Sequence, residues 1–260
     1  STSASTRRPA SSSHGELDPA PHPATRPSII YVICRWLSRV VFRGVYRCKV
    51  IDKGLVPPSG ALLVAANHQS YLDPPLVGGM SDREMHFVAR SGLFSFGPFG
   101  WLIRRLNSVP LKEDAGDVAA IKEVVRRLEQ GNAVVIFPEG SRCEDGAMHG
   151  FKRGVALLVK RAKCPVVPVA VEGCFDAWPR GSSPRLLGKR VAVKYGRPIA
   201  YEELMRNGPD AALDRLADEI DRMRLELRAM MRKDTDGVYP PRGPGDGPRL
   251  RDADGSASAG

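Results

Sequence analysis

Short apolar runs alternate with helical patterns through the middle of the chain. Five runs of four to six residues, rich in β-branched side chains, predict buried or half-buried strands. They cover residues 61–66, 85–89, 133–137, 166–171 and 191–194. Strands of this length, separated by helical patterns, predict one α/β domain with a mixed, mostly parallel sheet flanked by helices.

Three segments between and after these runs have helical periodicity. Apolar residues recur at helical spacing from Val118 to Leu128, and Gly131 then marks a C-terminal stop. A second short helix is predicted from Gly154 to Lys163, before Pro165. From residue 213 to residue 230, apolar positions recur at spacings of three and four, which predicts a long amphipathic helix packed on the core.

Residues 28–49 form a basic, apolar segment ahead of this domain. Four arginines at spacings of four share one side of a predicted helix: Arg35, Arg39, Arg43 and Arg47. Apolar residues from Ile30 to Val41 cover the opposite side. A basic amphipathic helix without acidic residues is typical of a membrane interface, and it is too short in uncharged length to span a bilayer. The alternative is a helix packed on the sheet with its arginines in water.

A second apolar segment, residues 93–106, carries Phe94, Phe96, Phe99 and Trp101. Glycine and proline at positions 97, 98 and 100 predict a loop there. Its aromatic side chains would either contact lipid or pack in the core.

The two ends of the chain have the composition of disordered tails. Residues 1–27 and 234–260 are rich in Ser, Pro, Gly, Ala and Asp and poor in apolar residues. The predicted organisation is therefore a tail over 1–27, a membrane-associated helix over 28–49, a domain over 50–233 and a tail over 234–260. The N-terminal stretch also lacks the hydrophobic region of a secretory signal peptide.

Charge is concentrated in the predicted folded part. The formal net charge is +10, and the two tails carry +1 and −2, so residues 28–233 carry +11. This excess suggests an anionic partner, such as nucleic acid, a phosphorylated metabolite or an anionic membrane. The five cysteines form no C-x-x-C pair, which argues against a disulfide scaffold or a thiolate zinc site.

The first candidate for chemistry is the sequence N-H-Q-S-Y-L-D-P, which directly follows the first predicted strand. His68 and Asp73 are five residues apart, so a single turn can bring the carboxylate to one imidazole nitrogen. The other nitrogen is then free to take a proton from a hydroxyl. An isolated pair of this kind is also compatible with a histidine that only caps a loop.

The second candidate is F-P-E-G-S-R, residues 137–142, at the end of another predicted strand. Gly140 permits close approach of the backbone to a ligand, and Arg142 offers a planar fork suited to phosphate. Glu139 would contact a substrate hydroxyl or pair with Arg142. Ser141 lacks the flanking glycines of a nucleophile elbow, so a serine hydrolase is not indicated.

Together the two motifs resemble the glycerolipid acyltransferase family, typified by 1-acylglycerol-3-phosphate acyltransferases. The resemblance covers residues 50–200 and includes F-K-R-G at 151–154 and P-V-V-P-V at 165–169. It implies that His68 is the base that activates an acceptor hydroxyl and that Asp73 orients it. Glu139, Gly140, Ser141 and Arg142 would bind the phosphorylated glycerol backbone. Lys112 stands where family members commonly carry an arginine, which leaves the acceptor open.

The resemblance also implies the reaction partners. Acyl-CoA or acyl carrier protein would donate the acyl chain to lysophosphatidic acid at the cytoplasmic face of a membrane, with no metal or other cofactor. Glycerol 3-phosphate and a lyso-aminolipid are alternative acceptors, and a non-catalytic lipid-binding protein is the alternative outside enzymes. Nucleic-acid binding is disfavoured because the chain contains no recognised module for it.

Overall fold

A seven-stranded sheet organises the protein. The computed structural model describes residues 27–111 and 118–250. The strands are β1 (Lys49–Ile51), β2 (Leu62–Ala66), β3 (Met85–Arg90), β4 (Ser108–Leu111), β5 (Ala133–Ile136), β6 (Val166–Glu172) and β7 (Ala192–Tyr195). Their spatial order is β1-β7-β6-β2-β5-β3-β4.

The sheet is mixed and mostly parallel, as the alternation of elements predicts. Five strands, β6-β2-β5-β3-β4, run in one direction, whereas β7 pairs antiparallel to β6 and β1 runs with β7. The five predicted strands are present, with ends shifted by one residue. The pattern does not reveal β1 and β4 because both are short edge strands with little buried surface.

Eight helices flank this sheet within the described residues. They are α1 (Ile29–Gly44), α2 (Asp73–Met80), α3 (Gly97–Arg105), α4 (Val118–Glu129), α5 (Gly154–Ala162), α6 (Cys174–Ala177), α7 (Tyr201–Leu204) and α8 (Pro209–Lys233). The three helices predicted after residue 117 correspond to α4, α5 and α8. Because side chains alternate along β2, Leu63 packs with α4, α5 and α8, whereas Val64 packs with α1 and α2.

The predicted loop over residues 93–106 is wrong. Ser91–Ser95 form a 3-10 turn and α3 follows at Gly97. Pro98 occupies the first turn of α3, where a missing N–H costs nothing. Gly100 is needed for packing, since a Cβ there would lie 2.3 Å from the Phe94 carbonyl oxygen. Pro98, which predicts a break in a helix, therefore lies in the first turn of α3. Gly100 allows α3 to pack closely against the preceding turn.

The predicted disorder over residues 234–260 is wrong for its first part. Residues 234–250 pack along α8, and Tyr239, Gly245 and Arg249 are buried there. This order comes from polar contacts: Arg224 donates to the carbonyls of Gly245 and Gly247. A composition rule that counts apolar surface does not register such contacts. The predicted tail over 1–27 lies almost wholly outside the described residues.

Helix α1 is present, and two of its arginines face the protein. Arg39 donates to the carbonyl oxygens of Gly79 and Ser81 at 2.9 and 2.8 Å, so it caps the C-terminal end of α2. Arg35 donates to the Asp82 carbonyl. The outward face of α1 is apolar instead, with exposed Ile29, Val32, Ile33, Trp36, Leu37 and Val40. None of the helices in the described ranges is both long and apolar enough to cross a bilayer.

Candidate active site

The two sequence motifs meet at the carboxyl edge of neighbouring strands. Residues 67–73 follow β2 and residues 137–142 follow β5, and these two strands pair in parallel. The end of β6 lies on the other side of β2. Ligand sites of open α/β sheets occupy this edge, where a rigid sheet positions the loops.

His68 and Asp73 form the hydrogen-bonded pair that their spacing predicts. The imidazole Nδ1 lies 2.8 Å from Asp73 Oδ2, and the aspartate is fully buried at the first turn of α2. The same Oδ2 accepts the backbone amides of Gln69 and Ser70 at 2.6 and 2.7 Å. Three hydrogen-bond contacts to one oxygen fix the orientation of the carboxylate. Nε2 is then the imidazole nitrogen that can exchange a proton with a substrate.

The surroundings of His68 fix the plane of its ring. Phe137 stacks on it, with ring centroids 4.1 Å apart and planes 22° from parallel. The His68 side chain is 18% exposed, so one edge of the ring reaches solvent. Asn67 exchanges two hydrogen bonds with the backbone of Val171 and so ties the start of this loop to β6. The ring is therefore held on one face and open at one edge.

Glu139 supports the His68 loop through hydrogen bonds to two backbone amides. Its Oε1 accepts the His68 amide at 2.6 Å and its Oε2 accepts the His149 amide at 3.0 Å. The side chain is buried, and burial raises the pKa of its carboxyl from about 4.5 to about 7, against the opposing effect of the two amides. Each oxygen bonds one backbone amide, so Glu139 supports both loops, and its predicted contact with substrate stays a prediction.

Gly140 makes the turn that follows β5. Its φ of +75° lies in the left-handed region, and its amide donates to the Phe137 carbonyl at 3.0 Å. A Cβ at this position would also lie 3.1 Å from Lys152 Cγ. Gly140 is thus required by the tight turn, and Ser141 next to it is exposed.

Arg142 reaches over the His68 loop. Its guanidinium carbon lies 3.5 Å from the centre of the Tyr71 ring, and its Nη1 is buried without a hydrogen-bond partner. The next residue, Cys143, donates its amide to the His68 carbonyl at 2.9 Å, which joins the two loops. A buried, unpaired guanidinium nitrogen held over the loop that carries His68 is suited to an anionic group of a ligand.

Sequence reasoning missed Tyr71, which holds Arg142 and also contacts the Trp178 ring at 5.3 Å between centroids. Its position inside N-H-Q-S-Y-L-D was a usable signal, because a loop aromatic two residues before the aspartate is exposed to the same site.

Lys112, which was predicted to bind substrate, lies outside the described residues.

The sequence profile of the Acyltransferase family matches residues 47–172, a segment that includes both site loops. Over this segment, just under half of the chain, the sequence is similar to the acyltransferase family. The family resemblance read from N-H-x4-D and F-P-E-G-S-R is confirmed.

Individual members of the acyltransferase family show the extent of the likeness. A chloroplastic 1-acyl-sn-glycerol-3-phosphate acyltransferase of Brassica napus is 31% identical over 136 residues, 52% of this chain and 39% of that protein. The lyso-ornithine lipid O-acyltransferase of Pseudomonas aeruginosa is 24% identical, over 69% of this chain and 70% of its own length. The chain spans about two fifths of the length of the plant relatives that it matches.

A solved acyltransferase shares the fold. The crystal structure of the 1-acyl-sn-glycerophosphate (LPA) acyltransferase PlsC from Thermotoga maritima superimposes with a TM-score of 0.68. The two sequences are 26% identical, and the match covers 76% of this chain and 80% of that one. The mixed sheet with its flanking helices is therefore the acyltransferase fold.

Proposed function

We propose that this protein transfers an acyl chain from acyl-CoA or acyl carrier protein to the free hydroxyl of lysophosphatidic acid, which yields phosphatidic acid for phospholipid synthesis. The observation that carries the proposal is the His68–Asp73 pair at the carboxyl edge of the sheet, next to the unpaired guanidinium of Arg142. In this proposal His68 is the general base and Arg142 binds an anionic group of the acceptor.

The reaction needs one base and no covalent enzyme intermediate. His68 Nε2 takes the proton from the acceptor hydroxyl as its oxygen attacks the thioester carbonyl. A carbon–oxygen bond forms, the carbon–sulfur bond breaks, and the thiolate leaves with the electron pair of that bond. Asp73 orients the imidazole and stabilises the imidazolium that forms. This chemistry calls for no metal or redox cofactor, because the thioester is already activated.

The acceptor is held through its phosphate. Arg142 presents a planar guanidinium whose Nη1 has no partner within the protein, and the stacked Tyr71 ring fixes the plane of this fork. A phosphate at Arg142 would bring the adjacent glycerol hydroxyl toward the open edge of His68. Lys112 would add a second, point-charge contact to the same phosphate.

The substrate reaches the site from a membrane, to which α1 binds in the plane of the cytoplasmic surface. The support is the outward face of α1, where Trp36 is 64% exposed and Ile29 is 76% exposed. An apolar helix face beside exposed Arg43 and Arg47 fits the boundary between acyl chains and anionic headgroups. Phe96 and Trp101 of the 3-10 turn and α3 region add further exposed aromatic surface.

A lyso-aminolipid is the second candidate acceptor. The reason to retain it is the likeness to the lyso-ornithine lipid O-acyltransferase, which covers more of this chain than the match to the plant relative. The carboxylate of such a lipid would bind the guanidinium of Arg142. His68 and Asp73 would then act on its hydroxyl in the same way. Glycerol 3-phosphate is a third acceptor that this site would accommodate.

The test offers the full chain a panel of lysolipids and glycerol 3-phosphate with one acyl-CoA. Product masses identify the acceptor, and free-thiol release gives the rate. The His68→Ala variant is expected to lose transfer while it still sediments with anionic vesicles. His149→Ala is the matched control, because that imidazole lies near Asp145 but only its backbone amide supports the site. Wild-type turnover by His68→Ala would overturn the mechanism.

A further inference from the structure

A buried ion pair lies directly behind the His68–Asp73 dyad. Glu172, the last residue of β6, is fully buried, and its Oε1 accepts Arg228 Nη1 at 2.5 Å. Its Oε2 accepts the side-chain amide of Gln69 at 3.2 Å. Gln69 in turn donates its backbone amide to Asp73 Oδ2. A continuous chain of contacts therefore joins α8 to the carboxylate of the dyad.

The outer end of this chain is held by residues 239–250, which we name the C-terminal strap. Arg228 donates through Nε to Asp246 Oδ1 and through Nη2 to the Pro241 carbonyl, both at 2.7 Å. All three nitrogens of its guanidinium are thus used, one toward the site and two toward the strap. Arg228 thus joins the strap to Glu172, and the neighbouring buried Arg224, 3.7 Å from Glu172 Oε2, also bonds the strap.

The strap reaches the dyad by a second route. Leu250 donates its amide to the Met148 carbonyl at 2.8 Å. The next amide, that of His149, donates to Glu139, which accepts the His68 amide with its other oxygen. Gly245 also approaches the same loop closely, since a Cβ there would lie 2.8 Å from the Gly146 carbonyl oxygen. The first route ends at Asp73 and the second at His68.

Ion pairs fasten the strap at its far end. Arg249 is buried and pairs with Asp214 and Asp218 of α8, each at 2.7 Å, while its amide donates to Asp221. Arg224 holds the middle of the strap through the Gly245 and Gly247 carbonyls. A buried charge that loses its partner is costly, so these contacts form or break together.

We propose that the C-terminal strap, acting through Arg228 and Glu172, positions the His68–Asp73 dyad for proton transfer. Glu172, Arg228 and Asp246 are positioning residues in this scheme, and none of them contacts the reacting atoms. The catalytic readout rests on the proposed acyl transfer, whereas the geometric readout described below does not. Small displacements of a base cost large factors in rate, which makes such support functionally measurable.

Two substitutions interrupt the first route at different points. Asp246→Ala removes the Nε contact of Arg228 with the strap and leaves its bond to the Pro241 carbonyl, so it is the milder change. Glu172→Gln presents an amide NH₂ to either Arg228 or Gln69, and one of these two contacts must break. Glu219→Gln is the matched control, because it removes an ion pair with Arg222 on the exposed side of α8.

For each full-length variant, kcat, the KM for the acceptor, the pH dependence of kcat and the thermal unfolding temperature are measured. We expect kcat to fall about tenfold or more in Asp246→Ala and Glu172→Gln, with acceptor KM unchanged. The acidic limb of the kcat profile is expected at lower pH, because a displaced carboxylate supports the imidazolium less well. Glu219→Gln is expected to match the wild type, and Asp246→Glu to recover part of the rate.

A substrate-free measurement separates this inference from the proposed function. The low-field proton resonance of the His68 imidazole, assigned by its loss in Asp73→Asn, is expected to shift or broaden in Asp246→Ala. An unchanged resonance together with a wild-type kcat profile in folded Asp246→Ala and Glu172→Gln overturns the positioning role. A rate loss that only follows the unfolded fraction overturns it as well. Failure of the wild type to acylate any acceptor would refute the proposed function and leave the resonance test valid.

Discussion

The guanidinium carbon of Arg142 lies 3.5 Å from the centre of the Tyr71 ring. The two residues come from different motifs, Tyr71 from the loop after β2 and Arg142 from the loop after β5. Stacking fixes the plane of the guanidinium without using its N–H groups. The nitrogens therefore stay available to an anion while the side chain is held over the His68 loop.

This stacking predicts a selective loss of acceptor binding. Tyr71→Leu removes the ring, and Arg142→Lys replaces the fork with a point charge that stacks poorly. Both variants are expected to raise the acceptor KM about tenfold or more, since a charge-assisted hydrogen bond contributes about 1.5–3 kcal/mol. Steady-state kinetics with varied acceptor checks this. Arg180→Lys, which alters an exposed pair with Glu144, should leave the KM unchanged.

The dyad predicts a loss of rate with retained binding. Asp73→Asn keeps the size of the side chain but no longer stabilises the imidazolium, so kcat is expected to fall about 10²–10⁴-fold. Circular dichroism and the acceptor KM should remain close to those of the wild type. A variant with normal kcat would show that Asp73 serves only the backbone amides of Gln69 and Ser70.

The raised pKa of Glu139 predicts that the free energy of unfolding depends on pH. Because the folded state raises the pKa of this carboxyl from about 4.5 to about 7, its favourable contribution is present below pH 4.5. It is lost as the pH rises through 7, by up to about 1.4 kcal/mol per pH unit. Glu139→Gln does not titrate. The free energy of unfolding of the wild type relative to this variant should therefore decrease from pH 5 to pH 8 in urea titrations. A difference that is constant with pH contradicts the raised pKa.

The contact between α1 and α2 predicts a steric effect at Gly79. A Cβ at this position would lie 2.7 Å from Ser38 Cβ, so Gly79→Ala forces the two helices apart. We expect a loss of about 1–3 kcal/mol in the free energy of unfolding. Gly44→Ala at the end of α1 is the control, because a Cβ there meets no atom within 4 Å. Equal stability of the two variants would argue against tight packing of α1.

The outward face of α1 predicts vesicle binding. Trp36→Asp places a charge on this face, and the protein is expected to lose most of its sedimentation with anionic vesicles while its unfolding temperature stays the same. Leu187→Asp is the matched control, because Leu187 is 90% exposed at a site far along the chain from α1. Sedimentation of Trp36→Asp at the wild-type level would remove α1 from the proposed membrane contact.

The central sheet and the dyad were predictable because their signals are local. Strands β2, β5 and β6 are continuous apolar runs, and a histidine five residues before an aspartate needs only one turn to form its hydrogen bond. The order of the strands was not predictable, because it depends on which strands hydrogen-bond to each other across long stretches of the chain. The edge strand β4 contains Pro110 and is too short to produce a pattern.

The roles of Glu139 and Arg39 depend on distant partners. Glu139 accepts amides from His68 and His149, and Arg39 binds carbonyls at the end of α2, some 40 residues away. Periodicity assigns a side chain to a face of a helix or a loop, but it does not say what lies opposite. Composition failed in the same way for residues 234–250, whose order derives from carbonyls and carboxylates that pair with arginines of α8.

The strap also sets an order of events during synthesis. Helix α8 leaves the ribosome before residues 239–250, so Arg224 and Arg228 emerge while their carbonyl partners have not yet been made. The helix itself can form at that stage, when Asp221 and Glu172 are the side-chain partners available to Arg224 and Arg228. The remaining N–H groups of both arginines have no protein partner until the strap arrives, so earlier burial against β6 is costly. Arrival of the strap therefore completes the docking of α8, and the nascent chain carries a complete N-H-x4-D motif before it carries an assembled site.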